Sequence, residues 1–204
     1  MRTLIQFVFA TAIAIAMLAS PAAAQDAQTK KVLASIKKEI QSNSVLTPAV
    51  KKLASTVLIS LTTDKVVIAE TEKLNGKKVA LSEIQRIDKA WKAAEEEIPE
   101  MKDRLNNKTA AVLKKFAAKN NKVVEIFVMD NQGAVVGENN MTSDYWQGDE
   151  AKWQNSYKGG KGGVDAGKVE FDKSANANLQ QVSLPVIAKG GKIIGAITFG
   201  VKAD

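Results

Sequence analysis

The hydrophobic period of this chain changes once, near residue 122, and that change limits its fold more than any other feature. Before it, apolar residues recur every three or four positions: Val32, Ile36 and Ile40, then Ile84, Ile87 and Trp91, then Ala111, Leu113, Phe116 and Ala117. Such spacing stacks them on one side of a helix. Beyond it, β-branched and aromatic residues run together or alternate, as strands require. The stretches are Val123 to Met129, Ala134 to Glu138, Lys168 to Phe171, Leu179 to Ile187 and Lys192 to Lys202.

Helix ends are marked by side chains able to take up backbone N–H groups. A first helix is expected over 27–42, and Thr47-Pro48 opens a second, a capping hydroxyl followed by proline at the first turn. Asp64 caps a third, which Asn75-Gly76 ends, and Ser82 with Gln85 reads as a capping box for a fourth. A last helix covers about 107–119. Among the strands, Asp130-Asn131-Gln132-Gly133 and Gly190-Gly191 are tight-turn sequences. A short helix is expected over 149–157 with Asp149 as its cap, followed by the KGGKGG run at 158–163 as a flexible loop. Helices first and hairpin-joined strands second define an α+β fold, with a helical region over 25–120 and an antiparallel five-stranded sheet over 121–204.

Residues 1–24 stand apart. Arg2, an apolar run from Leu4 to Leu18 and the small residues of Ser20-Pro21-Ala22-Ala23-Ala24 describe a secretory signal peptide, with cleavage expected near Ala24-Gln25. The rival is an uncleaved membrane anchor, for which the run is short. A periplasmic or secreted location follows. No membrane helix or signalling module is expected after Asp204, so a signal across a membrane would need a separate partner.

The chain has no Cys and no His. Disulfides, thiolate chemistry, haem or zinc ligation by those residues and Ser-His-Asp catalysis are thereby excluded. No cofactor and no metal are expected. Removing Arg2 with the leader leaves 28 Lys and Arg against 22 Asp and Glu. The excess lies in residues 25–120, in pairs such as Lys30-Lys31, Lys37-Lys38, Lys51-Lys52, Lys77-Lys78 and Lys114-Lys115. Solvated helix faces explain these most simply. Attraction to anionic lipid or an acidic envelope partner is the functional rival. Nucleic acid is not expected, because Arg86 and Arg104 are the only arginines after Arg2.

The segment VEIFVMDNQGAVVGENNMTSDYWQGDEAKWQNSY resembles the sheet opening of Cache (PDC-type, PAS-like) extracellular sensor domains. In it a strand leads through an Asp-x-x-Gly turn to a second strand, an Asp-Tyr-Trp loop and a short helix. The closing VSLPVIAKGGKIIGAITFGVKAD is similar to the family's terminal hairpin. The resemblance covers about 121–204. It implies a PAS-like sheet with a long helix packed on one face, and a ligand pocket between the other face and the 140–178 loops. It also implies signalling through a membrane-bound kinase or chemoreceptor. Family members that bind α-amino acids clamp the carboxylate with Arg, and no Arg follows Arg104 here.

Tyr145, Trp146, Trp153 and Tyr157, interleaved with Asp144, Asp149, Glu150 and later Asp172, form the densest aromatic and acidic cluster. Aromatic walls with carboxylates suit an amine or neutral polar ligand. Alternatively the tryptophans simply plug the loop onto the sheet. Alternation along the first strand puts Glu125, Phe127 and Met129 on one face and Val124, Ile126 and Val128 on the helix side, which makes Phe127 a candidate pocket floor. Gln181 and Ser183 alternate against Val182 and Leu184 and join it as polar candidates. Asp144, Asp149 and Glu150 do not have EF-hand spacing, KGGKGG lacks a phosphate-loop pattern, and paired carboxylates in so small a domain leave no sugar cleft. The expectation is a non-enzymatic, periplasmic sensor that binds a small polar or cationic metabolite and admits a homodimer. The alternative is a structural or interaction protein of the cell envelope acting through its Lys-rich helices. The sensor reading requires a hollow between the 144–157 loop and the sheet.

Overall fold

A computed structural model describes residues 21–172 and 176–203. The leader expected at 1–24 therefore falls almost wholly outside the described residues. Helix α1 (Pro21–Ser42) is followed by α2 (Pro48–Thr56), a 3-10 turn over Leu58–Thr63, α3 (Lys65–Gly76), α4 (Leu81–Ala93), α5 (Pro99–Asn106) and α6 (Lys108–Lys119). Strands β1 (Val123–Met129) and β2 (Val135–Glu138), helix α7 (Ala151–Tyr157) and strands β3 (Asp165–Asp172), β4 (Ala177–Ile187) and β5 (Ile193–Lys202) complete the chain. Among the described residues no helix is long and apolar enough to cross a membrane.

Two expected caps, Thr47 and Asp64, are in place. Thr47 Oγ1 accepts from Val50 N, and Asp64 Oδ1 accepts from Val66 N and Val67 N, so each satisfies donors that a helix start leaves open. Asn107 does the same for α6 through Ala110 N and also donates to Val136 O, which ties that helix to β2. Two caps differ. Helix α4 begins one residue before Ser82, because the Ala80 carbonyl already accepts from Glu83 N and Ile84 N, and no side chain caps it. Helix α7 begins after Glu150, whose carbonyl takes Trp153 N and Gln154 N, and Asp149 is exposed and caps nothing. The 158–163 run is tied down as the end of α7: Gly162 N donates to Tyr157 O and Gly163 N to Ser156 O.

The sheet order is β2-β1-β5-β4-β3, antiparallel throughout, which with the helical amino-terminal half is the expected PAS-like α+β arrangement. Asp130 Oδ1 accepts from Gln132 N and Ala134 N, and Gly133 takes a positive φ of 87°, so the β1–β2 turn is shaped by its own residues, while Asn75 and Val79 hold it to the helices. One face carries Ile126, Val128, Val182, Leu184, Ile197 and Phe199, packed in a single cluster with Ile36 and Ile40 of α1, Val50, Leu58, Val67 and Leu113. Each fully buried side chain of this kind stabilises by about 1.5–3 kcal/mol. The long helix α1 thus joins the core of this face, as the resemblance implies. Gln180, fully buried near the start of β4, accepts from Thr47 N and donates to Val45 O and Gly167 O, which pins the α1–α2 connection to the sheet.

Candidate functional site

The other sheet face is the candidate site. Register places Glu138, Phe127, Thr198, Ser183 and Asp165 in one row across the five strands, and Glu125, Gly200 and Gln181 in the next. The two rows have different fates.

The first row is covered. Trp153 and Tyr157 of α7, stacked at 5.2 Å between ring centroids, pack on Phe127, Met129 and Ala196. Trp153 Nε1 donates to Asp130 O at 2.9 Å, and the Lys152 ammonium stands 5.5 Å over the Phe127 ring. Phe127 is buried, and the hydroxyls of Ser183 and Thr198, both fully buried, are joined at 2.7 Å. Here the loop and helix sit directly on the sheet, so the hollow expected beneath residues 144–157 is filled at Phe127 by the chain's own rings.

The 144–147 loop turns toward the helices. Asp88 of α4 accepts from both Tyr145 N and Trp146 N at 3.0 Å, Trp91 Nε1 donates to Thr142 O, and Trp146 Nε1 donates to Gln132 O. The buried Tyr145 ring lies between Trp91, at 5.7 Å, and the Arg104 guanidinium, at 5.5 Å. Asp144 is held by Ser143, Gln147 and the Lys92 ammonium. Aromatic burial and fixed hydrogen bonds anchor this loop, and its side chains do not line the open space described next.

The second row lies open. A cavity of about 300 Å³ is lined by Glu125, Gly167, Lys168, Glu170, Phe171, Asp172, Leu179, Gln181 and Gly200. Asp172 and Gln181 were legible candidates, and Glu125 was placed on this face by alternation without being chosen. Lys168, Glu170, Phe171 and Leu179 lie on strands that were read correctly, and the glycines carried no positive signal. Gly200 forms the floor: a Cβ there would stand 3.1 Å from Glu125 Cβ and 3.4 Å from its Oε2. Desolvation lifts the Glu125 carboxyl above its ordinary range, and the like charge of Asp172 adds to the lift. Lys152 and a hydrogen bond with Gln181 pull the other way. The wall carries three carboxylates and one ammonium, with an exposed aromatic ring in Phe171. Among the described residues no three acidic groups are gathered closely enough to hold a metal ion.

A second carboxylate, Glu138, escaped the sequence reading. It is fully buried, its Oε2 accepts from Thr142 N and Thr142 Oγ1, and its Oε1 has no hydrogen-bond partner. Burial pushes its pKa up to about 7, against the pull of the Thr142 bonds. Glu125 across the same face adds to the rise, and Arg104 opposes it.

No known family profile and no curated protein matches this chain. Among solved structures, the sensor domain of the Vibrio cholerae histidine kinase DctB is similar, with a TM-score of 0.46 and 11% identity over 86% of this chain and 57% of that one. The ligand-binding domain of the Campylobacter jejuni chemoreceptor Tlp3, in complex with 4-methylisoleucine, gives a TM-score of 0.37 and 15% identity over 90% of this chain and 62% of that one. The extracellular domain of the histidine kinase rpHK1S-Z16 gives 0.36 and 14%, over 70% and 53%. The chain spans about three fifths of the length of these domains or less.

Proposed function

We propose that this protein is an exported sensor module that binds a small amine not in the hollow expected beneath residues 144–157, which its own rings fill, but in the neighbouring Glu125–Asp172 cavity, and reports occupancy to a separate membrane-bound kinase or chemoreceptor. The observation that carries the reading is the Glu125 carboxyl in the wall of an open cavity, where burial above all, with a smaller part from the Asp172 charge, raises its pKa despite the pull of Lys152. Such a group is stabilised by a cation brought between the carboxylates, because opposite charge favours ionisation where burial and like charge oppose it. Phe171 offers a ring face to the same cation. Leu179 and Gly200 supply an apolar and sterically open floor for methylenes. Glu125 stands on β1 and Asp172 on β3, with β5 and β4 between them, so a cation held in the cavity draws on side chains from both sides of it and favours the form that keeps the edge strand close. Differential binding to the tightened form is all that population shift requires.

The test pairs short aliphatic amines with alcohols of equal length in thermal-shift and calorimetric titrations. Amines are expected to raise the melting temperature and alcohols are not, and Glu125→Gln removes the response. Equal behaviour of amines and alcohols, or an unchanged response in Glu125→Gln, would refute the assignment.

A further inference from the structure

Strand β3 forms one edge of the sheet and pairs with β4 alone. Protein edges are usually blunted by charge or by cover, because their unpaired N–H and C=O groups invite another strand. Here Val169 is 42% exposed and Phe171 59%, two positions apart on that edge. Between and beside them stand Lys168, Glu170 and Asp172, so the edge carries both signs of charge within five residues. An edge that carries both signs is complementary to itself in the right register, and this points to the occupant.

We propose that β3 pairs antiparallel with β3 of a second copy of this chain, around a two-fold axis at Val169. A two-fold axis normal to the sheet maps each face onto itself, so opposed residues must share a face. That condition leaves four registers centred within the exposed stretch, Lys168 to Phe171. Centring on Phe171 opposes Glu170 to Asp172 of the second copy twice, centring on Lys168 opposes that ammonium to its own copy, and centring on Glu170 opposes that carboxylate to its own copy even though it also sets Lys168 against Asp172. All three set like charges directly across, which destabilises a strand pair. Centring on Val169 sets Lys168 against Glu170 of the second copy, twice by symmetry, and buries the two Val169 side chains together. Glu170 pairs with Leu179, and the register shift between Ala166 and Val169 leaves Gly167 and Lys168 opposite Gln181, so Lys168 and Glu170 fall on the face of Leu179 and Gln181. Because Lys168, Glu170, Phe171 and Asp172 form the outer wall of that cavity, the second copy stands where the cavity opens. The pairing does not depend on the ligand being an amine, and its test needs no ligand.

Sedimentation equilibrium of the purified protein over a wide concentration range reads the association directly. A dimer is expected. Lys168→Glu and Glu170→Lys each bring like charges together twice and should weaken it at least ~10-fold, whereas the double exchange restores the original constant. Phe171→Ser should weaken it as well, and circular dichroism melts confirm that each variant is folded. A protein that stays monomeric to about 1 mM overturns the proposal, since weaker association lies below what a specific contact provides. A dimer indifferent to both single reversals also overturns it, as does a double exchange no better than the singles.

Discussion

Glu138→Gln should remove most of the loss of stability that the protein suffers between pH 4.5 and pH 7. The carboxyl titrates near 4.5 when exposed and near 7 in the folded chain, where burial disfavours its charge. A raised folded-state pKa means that the protonated form is the one the fold accommodates. Its contribution is complete below pH 4.5, falls as pH rises, and is gone above about 7. At 1.36 kcal/mol per pKa unit the interval corresponds to about 3 kcal/mol. Glutamine keeps an acceptor for Thr142 N and Thr142 Oγ1 and carries no charge at any pH. Its amide N–H groups enter the place where Oε1 now lacks a partner, at a pH-independent cost of about 1–3 kcal/mol. Absolute stability at pH 8 therefore moves little, and the slope is the readout. Urea titrations at pH 5, 6, 7 and 8 give it for both proteins. Glu125 and Asp130 also have raised carboxyl pKa values, mainly from burial, and leave a shallower slope of the same sign in the variant. Parallel stability curves for the two proteins from pH 5 to pH 7 would show that Glu138 is solvated or compensated, and the argument from burial would fail.

Three further outcomes are expected. Asp88→Ala deprives Tyr145 N and Trp146 N of their shared acceptor and should cost about 3 kcal/mol by chemical denaturation, whereas Asp88→Asn, which keeps an acceptor, should cost about 1. Trp153→Ala opens the packing over Phe127 and releases the Asp130 carbonyl; because the ring is half-buried the loss should be about 3 kcal/mol, read in the same way. Gly200→Ala places a methyl group 3.1 Å from Glu125 Cβ, and should lower amine affinity ~10-fold in calorimetric titration while changing stability by less than about 1 kcal/mol.

Four of the five strands were legible to within two residues, because a half-buried strand alternates and its ends here carry turn sequences such as Asp130 to Gly133, whereas β3 begins at Asp165, three residues before the expected Lys168, across a shifted register. The helices were legible where a polar side chain caps them, at Thr47, Asp64 and Asn107. They were misread where the backbone does the work. Ser82 and Gln85 have the spacing of a capping box, yet the helix is capped at Ala80, two residues earlier, where the carbonyl accepts from Glu83 N and Ile84 N. Helix α5 was not anticipated: it has eight residues and buries only Met101 fully, too little apolar periodicity to stand out in the sequence.

The site was less legible, and for a physical reason. Large aromatic side chains attract attention in a sequence because they bury so much surface, but that same property makes them seal a space rather than leave one. The i, i+4 spacing of Trp153 and Tyr157 says that they share a face of α7, and they use it to cover Phe127. Tyr145 goes instead to Trp91 on the helical layer. The space that remains open is made by side chains that are missing. Gly200 leaves the floor of β5 bare, and the shifted register between Ala166 and Val169 moves Lys168 and Glu170 around it. A hydropathy pattern records where apolar atoms are and says nothing of where atoms are lacking. Glu125 was nonetheless an available clue. A carboxylate alternating with Phe127 and Met129 on a strand whose opposite face is wholly apolar must be solvated, paired or waiting for a cation. In the fold Lys152 and Gln181 answer that demand only in part, since burial still holds the carboxyl above its ordinary range beside an open cavity.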